Sequence, residues 1–195
     1  MLWKEDSMKR NEVSIFNEKV ILRDMRSSDI EDYVNWHTVD REWMNWDAPW
    51  EIEEAVQLDE LRNNLIKRVN RELPKIRRRL EICTRDEIHI GWVSSYFIGS
   101  DKTKLAIGID IANSNFRGKG VGKTAFFIFI KYLLESGEIS DIYTETWSGN
   151  IKMIRLAKSC CFEEVEREVN FKKIKGEYYD SLTFKLNARK FLSKK

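Results

Sequence analysis

The stretch LAIGIDIANSNFRGKGVGKT, residues 105–124, decides the fold. Its first eight residues, Leu105 to Ala112, are almost continuously apolar, the pattern of a strand buried on both faces. From Val121 to Leu134 the chain is apolar nearly all round, with Val121, Ala125, Ile128, Phe129 and Tyr132 on one stripe, which predicts a buried helix. Between them lies Asn115-Phe116-Arg117-Gly118-Lys119-Gly120-Val121-Gly122-Lys123-Thr124, with three glycines at alternate positions. Glycine permits close backbone approach and positive φ. The following helix would aim its free N–H groups and positive dipole end back at the turn, and Arg117, Lys119 and Lys123 add formal charge. Such a turn suits a phosphate or pyrophosphate.

Working outward, Ile142 to Trp147 reads as the next strand, so residues 105–147 form a strand–helix–strand unit with a parallel pair and a right-handed crossover. Upstream, Lys19–Arg26 alternates as a first strand, and Ser27-Ser28-Asp29 offers cap chemistry for a helix from Ile30. Residues 36–50 hold four of the seven tryptophans and read as a loop or broken helix. Ile52, Val56, Leu61, Leu65, Val69 and Leu73 predict a long helix that Pro74 stops. Residues 79–84 and 89–98 are two strands about a polar turn. Downstream, 150–161 reads as a helix, then 162–173 and 177–187 as a hairpin turning at Lys175-Gly176. The expected fold is therefore one α+β (mixed α/β) domain: a mostly antiparallel sheet, one parallel crossover, and helices on both faces. Its expected limits are 19–187, with an extension at 1–18 and a tail at 188–195.

Composition fits this and narrows the partners. The chain has 195 residues, 42% hydrophobic and 34% charged, with 9 Gly and 2 Pro, which suits a packed domain and not a disordered one. A net charge of +2 indicates no global field for nucleic acid. No apolar run approaches membrane-spanning length and no signal-peptide h-region opens the chain, so a cytoplasmic protein is expected, with no membrane partner. Cys83, Cys160 and Cys161 lack a disulfide framework, and His37 and His89 lack metal-ligand spacing, so no metal is expected.

Three ligand readings fit the glycine turn. A dinucleotide fingerprint needs G-x-G-x-x-G, whereas the spacing here is G-x-G-x-G. A P-loop needs G-x-x-x-x-G-K-[ST]; Gly122-Lys123-Thr124 supplies its end, but Arg117 stands where its first glycine belongs. GKGVGKT (118–124) also resembles the deviant P-loop of ParA/MinD-type ATPases, over seven residues. Arg117-Gly118-Lys119-Gly120-Val121-Gly122 resembles the R-x-x-G-x-G/A pyrophosphate loop of the GNAT N-acetyltransferase superfamily. A second match follows in register: Asn150, then Met153-Ile154, Leu156-Ala157 and Cys161-Phe162 resemble the family's asparagine-led helix ending in Gly-Phe. TETWSGN (144–150) and EYYDSLTF (177–184) are most similar to the branch of ribosomal-protein-alanine N-acetyltransferases.

That resemblance implies an acetyl-CoA-dependent N-acetyltransferase, with acetyl-CoA as acyl-donor co-substrate. Ile109 and Ile111 would pair with pantetheine through their backbones. The amides of Arg117, Gly118, Lys119, Gly120, Val121 and Gly122 would cradle the pyrophosphate with Lys123 nearby, and Asn150 would hydrogen-bond the pantetheine arm. Asn150 is equally a helix cap. The family's usual glutamate maps to Ala106 and its tyrosine acid to Ala157, so both are replaced. Asp110, on the face of Ala106, and Glu145, on the adjacent strand, are the candidate catalytic carboxylates. Their missing family counterparts keep a non-catalytic CoA-binding or sensor module as the alternative. Cys161, in place of the family's glycine, allows an acetyl-cysteine role, though a paired apolar-face cysteine is more often packing.

The acceptor is an amine, a cationic small molecule or a protein N-terminus, and a homodimer is allowed. Residues 27–60 contain eleven acidic residues and one basic, Arg41, while 62–79 contain eight basic and one acidic, Glu72. The acidic, Trp-rich stretch from Trp36 to Glu54, with Asp47 and Glu51, would attract a cationic amine if it frames the acceptor site. The basic run lacks the interleaved aromatics of an RNA-binding surface, so nucleic acid is not an expected partner.

Overall fold

The computed structural model describes residues 12–52 and 56–194. Eight strands form one sheet in the order β1-β2-β3-β4-β5-β6-β8-β7. They are β1 (Ser14–Phe16), β2 (Val20–Arg23), β3 (Arg79–Thr84), β4 (His89–Phe97), β5 (Lys104–Asp110), β6 (Asp141–Trp147), β7 (Phe162–Ile174) and β8 (Glu177–Leu186). Every neighbouring pair is antiparallel except β5 and β6, which are parallel. The helices are α1 (Ile30–Thr38), α2 (Leu58–Asn70), α3 (Val121–Glu135), α4 (Ile151–Ser159) and α5 (Ala188–Leu192).

The two faces of the sheet are packed differently. Alternation along β2, β3, β4 and β5 sends Leu22, Leu80, Ile82, Val93, Leu105 and Ile107 into a fully buried aliphatic layer. Phe126, Phe129, Ile130 and Leu133 of α3 and Ala157 of α4 close it. On the other face Tyr33 and Trp36 of α1, Trp43, Leu65 of α2 and Trp92 of β4 form a separate aromatic cluster. Register fixes which polar residues share that second face. Glu81, Trp92 and Asp110 form one cross-strand row, and Arg79, Ser94 and Gly108 form the next.

Several sequence expectations need correction. The long helix from residue 52 is shorter: α2 begins at Leu58, and residues 53–55, including Glu54, lie outside the described residues. Residues 14–16 of the expected extension form an edge strand on β2, and in the expected tail Phe191 is buried in the aliphatic core. Amphipathic periodicity misses both, because one is too short and the other contributes a single anchor. The strand expected over 105–112 ends at Asp110, because Arg117 takes the carbonyls of Ile111 and Ala112.

Candidate active site

The parallel ladder between β5 and β6 is brief. It joins Lys104–Ala106 to Asp141–Tyr143, after which the strands part. Thr144 Oγ1 donates to the Ile107 carbonyl at 2.8 Å just past the last ladder pair. Beyond that point a cleft of about 670 Å³ opens between the strand ends. Gly108, Ile109, Asp110 and Ile111 line one wall, and Glu145, Thr146, Asn150 and the start of α4 line the other. The glycine turn forms its floor through Arg117, Gly118, Gly120, Val121, Gly122 and Lys123.

Two of the three turn glycines answer to backbone conformation. Gly118 has φ 75° and Gly120 has φ 79°, values that cost a β-carbon-bearing residue about 1 to 2 kcal/mol. A Cβ at Gly118 would meet nothing within 4 Å, and one at Gly120 only Lys19 Nζ at 3.9 Å, so open space stands over the turn. Gly120 is also the N-cap of α3, and no side chain caps that helix. The first-turn amides are thus left for an anion, at the positive end of a 15-residue helix. This geometry fits a pyrophosphate, and the adjoining splayed strands fit an extended pantetheine arm.

The individual side chains divide into those facing the cleft and those holding it open. Lys123 faces it, whereas the Lys119 ammonium lies 5.4 Å over the Phe116 ring and is not among the lining residues. Arg117 sends Nε to the Ile111 carbonyl at 2.7 Å and Nη2 to the Ala112 carbonyl at 2.8 Å, and pairs with Glu42 through Nη1. Its guanidinium therefore staples the strand end to the turn. Asn150 caps α4 by accepting from the Met153 amide at 2.9 Å, and its Nδ2 donates to the Trp46 carbonyl. Trp147 Nε1 donates to the carbonyls of Trp46 and Asp47 at 3.2 and 3.1 Å. These bonds pull the Trp43–Asp47 segment across the cleft mouth, where Trp43, Trp46 and Asp47 become lining residues.

Asp110 and Glu145 reach the same cleft from its opposite walls. Burial, and then the negative charge of Asp47, push the Asp110 carboxyl up to about 7, while Arg79, Trp92 and Arg117 oppose the shift. Asp47 is itself raised, by burial and by Glu51. A Cβ at residue 91 would lie 1.9 Å from the Asp110 carbonyl oxygen, so only glycine lets β4 pass so close beneath Asp110. Glu145 accepts a hydrogen bond from Tyr96 Oη, and burial followed by this bond drives the phenol above its ordinary range. Ala106 and Ala157 are both fully buried, so neither position reaches the reaction space.

Sequence reasoning missed Tyr96, Arg68, Arg79, Lys152 and Arg155. Lys152 and Arg155, three residues apart on α4, line the cleft, with Lys152 Nζ 3.7 Å over the Trp46 ring. Tyr96 shares the β4 face of Trp92 and Ser94, a signal available once β4 was paired with β5. Cys160 and Cys161 are buried, and burial raises the Cys160 thiol. Cys161 has φ 68°, so it keeps the left-handed conformation that glycine would ordinarily supply after a helix.

The site is thus a sheet splayed at a parallel pair, with an uncapped helix start under the gap. The sequence profile of the acetyltransferase (GNAT) domain matches residues 19–163, and the chain belongs to that family of enzymes. The fold is shared with a spermidine N-acetyltransferase from Vibrio cholerae solved with CoA and spermine. That match has 23% identity and a TM-score of 0.72, covering 91% of this chain and 100% of the other. A ribosomal L7/L12 alpha-N-protein acetyltransferase matches at 14% identity and TM-score 0.69, over 89% and 93% of the two chains. A GNAT-family acetyltransferase from Bacillus anthracis matches at 15% and 0.69, over 89% and 98%. No curated protein matches the chain in sequence. Among the described residues, no helix is long and apolar enough to cross a membrane.

Proposed function

We propose that the protein is an acetyl-CoA-dependent N-acetyltransferase that acts on a primary amine in the cytoplasm, by direct attack in a ternary complex. The observation that carries this reading is one continuous cleft joining the glycine turn and free helix start to a carboxyl poised near neutrality. Acetyl-CoA supplies the acetyl thioester as co-substrate. The turn amides and Lys123 would bind its pyrophosphate, and Lys152 and Arg155 lie where they can meet further phosphate charge.

Chemistry then requires a neutral amine. Asp110, ionised above pH 7, accepts a proton from the incoming ammonium directly or through one water. The neutral nitrogen attacks the thioester carbonyl, a C–N bond replaces the C–S bond, and the proton shed by the attacking nitrogen passes to the departing thiolate. Tyr96 donates a hydrogen bond to Glu145 of the cleft and holds that carboxylate in place, and the raised phenol pKa keeps Tyr96 protonated. Much of the rate enhancement comes from holding the two reactants together.

Gly120→Val tests the reading. The variant should lose at least a hundredfold in acetyl-CoA affinity by calorimetry, because a β-branched side chain resists φ 79° and fills the space over the turn. Full affinity in a folded variant refutes the turn as the phosphate site. A thermal shift with ATP and none with acetyl-CoA would return the protein to the nucleotide-binding alternative. CoA binding without thioester turnover across an amine panel would establish the sensor alternative.

A further inference from the structure

A second cavity of about 430 Å³ adjoins the cleft and shares Trp43, Asp47, Gly108, Ile109, Asp110 and Glu145 with it. Its far wall is built from Arg68 of α2 and Arg79 of β3, about the rings of Tyr33 and Trp92. Both guanidiniums hold a buried nitrogen without a hydrogen-bond partner among the described residues: Arg68 Nη1 and Arg79 Nε. Arg79 Nη2 donates to Tyr33 Oη at 2.6 Å, but Glu81 Oε1 stands 3.7 Å from Nε, too far for a hydrogen bond. Glu81 is already held by Tyr33 Oη at 2.6 Å and His89 Nε2 at 3.1 Å. Arg68 forms no ion pair with any described carboxylate; burial and the nearby Arg79 both disfavour its charge.

We infer that the acceptor is a small amino acid, its carboxylate seated by Arg68 and Arg79 and its amine presented to Asp110. This rests on the acetyl-transfer reading above. Buried donors without acceptors are rare and costly in folded proteins. Both arginines line the cavity, and a guanidinium offers paired donors that match the two oxygens of one carboxylate. The same cavity is lined by Asp110, Asp47 and Glu145, so its wall carries charge of both signs. The strand register sets the span. Arg79 lies two strands from Gly108, about 10 Å, and Asp110 is two residues further along β5, about 7 Å. With both side chains reaching inward, the remaining gap suits a compact zwitterion. A polyamine would bring an ammonium against two arginines, which removes the purely cationic acceptor that the acidic segment by itself suggests.

Calorimetry on the CoA-saturated protein tests this without requiring turnover. The probes are a panel of N-acetyl-α-amino acids and N-acetyl-β-alanine, each beside its methyl ester, together with N-acetylspermidine. At least one free acid should bind tenfold or more tightly than its ester and than N-acetylspermidine. Arg68→Met should abolish that preference while leaving CoA affinity unchanged, and Arg68→Lys should restore part of it. Esters binding as well as acids across the panel, or N-acetylspermidine binding best, overturns the inference. So does an acid preference that survives Arg68→Met. Failure to bind CoA at all removes the acetyl-transfer reading and this inference with it, whereas CoA binding without acid preference removes this inference alone.

Discussion

The two faces of the sheet are built from the same strands and have opposite chemistry. Against α3 lie Leu80, Ile82, Val93, Leu105 and Ile107, all within 2% of full burial and without a charged group among them. Against α1 and α2 lie Glu81, Trp92 and Asp110 from the same β3, β4 and β5. There Arg23 pairs with Asp29 at 2.7 Å, and His89 sits between Asp32 at 3.0 Å and Glu81 at 3.1 Å. One face gives stability by removing apolar area from water. The other holds charge in a desolvated setting, where interactions are strong and unpaired groups are costly. Asp110 belongs to the second face, and α3 links the two by packing its flank on the aliphatic layer while its first turn floors the cleft.

Four perturbations break or sharpen that contrast. The largest is Asp110→Asn, which should lower kcat a hundred- to ten-thousandfold, about 3 to 5 kcal/mol on the barrier. It should also abolish the rise of wild-type rate as pH passes about 7. The stability effect has the opposite sense. The folded pKa near 7 exceeds the ordinary 3.8, so wild-type stability falls as pH rises between them. The asparagine variant should therefore melt at or above the wild-type temperature at pH 8. A lower melting temperature together with retained activity would make Asp110 a structural carboxylate.

On the other face, Phe129→Ala should cost about 3 to 5 kcal/mol of stability, read by denaturant unfolding, because the ring is fully buried in the aliphatic layer. Its effect on the kcat pH profile should be nil, since no titratable group of the site packs there. A shifted profile would show that the faces communicate.

The third perturbation isolates the charge network. Burial disfavours a charged His89, but the hydrogen bonds to Asp32 and Glu81 outweigh it and raise the imidazole from 6.5 to about 9. Its contribution is complete below pH 6.5 and lost as pH rises through 9, on the order of 3 kcal/mol. Melting curves from pH 6 to 9.5 should show wild type losing stability relative to His89→Gln across that window. Parallel curves would mean that folding leaves the imidazole pKa unshifted.

The smallest effect is expected for Arg117→Ala, about 1 to 2 kcal/mol of acetyl-CoA affinity. Because the guanidinium holds the Ile111 and Ala112 carbonyls, the free protein should also melt at lower temperature. Weaker binding with an unchanged melting temperature would instead place Arg117 directly on phosphate.

Much of this was legible in the chain itself. Apolar runs such as Leu105–Ile107 and Phe126–Ile130 mark the elements of the dry face, since residues packed away from water are apolar. The glycine turn carried its own explanation, because Gly118 and Gly120 adopt a φ that other residues resist. Asp110 and Glu145 were legible as candidates from strand alternation, and the structure brings both to one cleft. The charged face was different. Arg68 and Arg79 stand far from residues 105–124 in sequence, and nothing local distinguishes them from solvated surface. Arg77 looks like part of the same basic run, yet it is buried against Asp24 at 3.1 Å. The acidic segment reads as one block, yet Asp29 is buried on Arg23, Glu31 pairs with Arg62, and Glu42 pairs with Arg117.

Local sequence thus determined most of the elements, their order and the glycine turn, because helix periodicity, strand alternation and positive φ are properties of neighbouring residues. Only the tertiary structure decided the register of β3, β4 and β5. That register put Arg79, Asp110 and Glu81 on one face, closed α1 and α2 over them, and determined which charges found partners. Burial and pairing of charge depend on groups brought together across the sheet, and no window of sequence contains both partners at once.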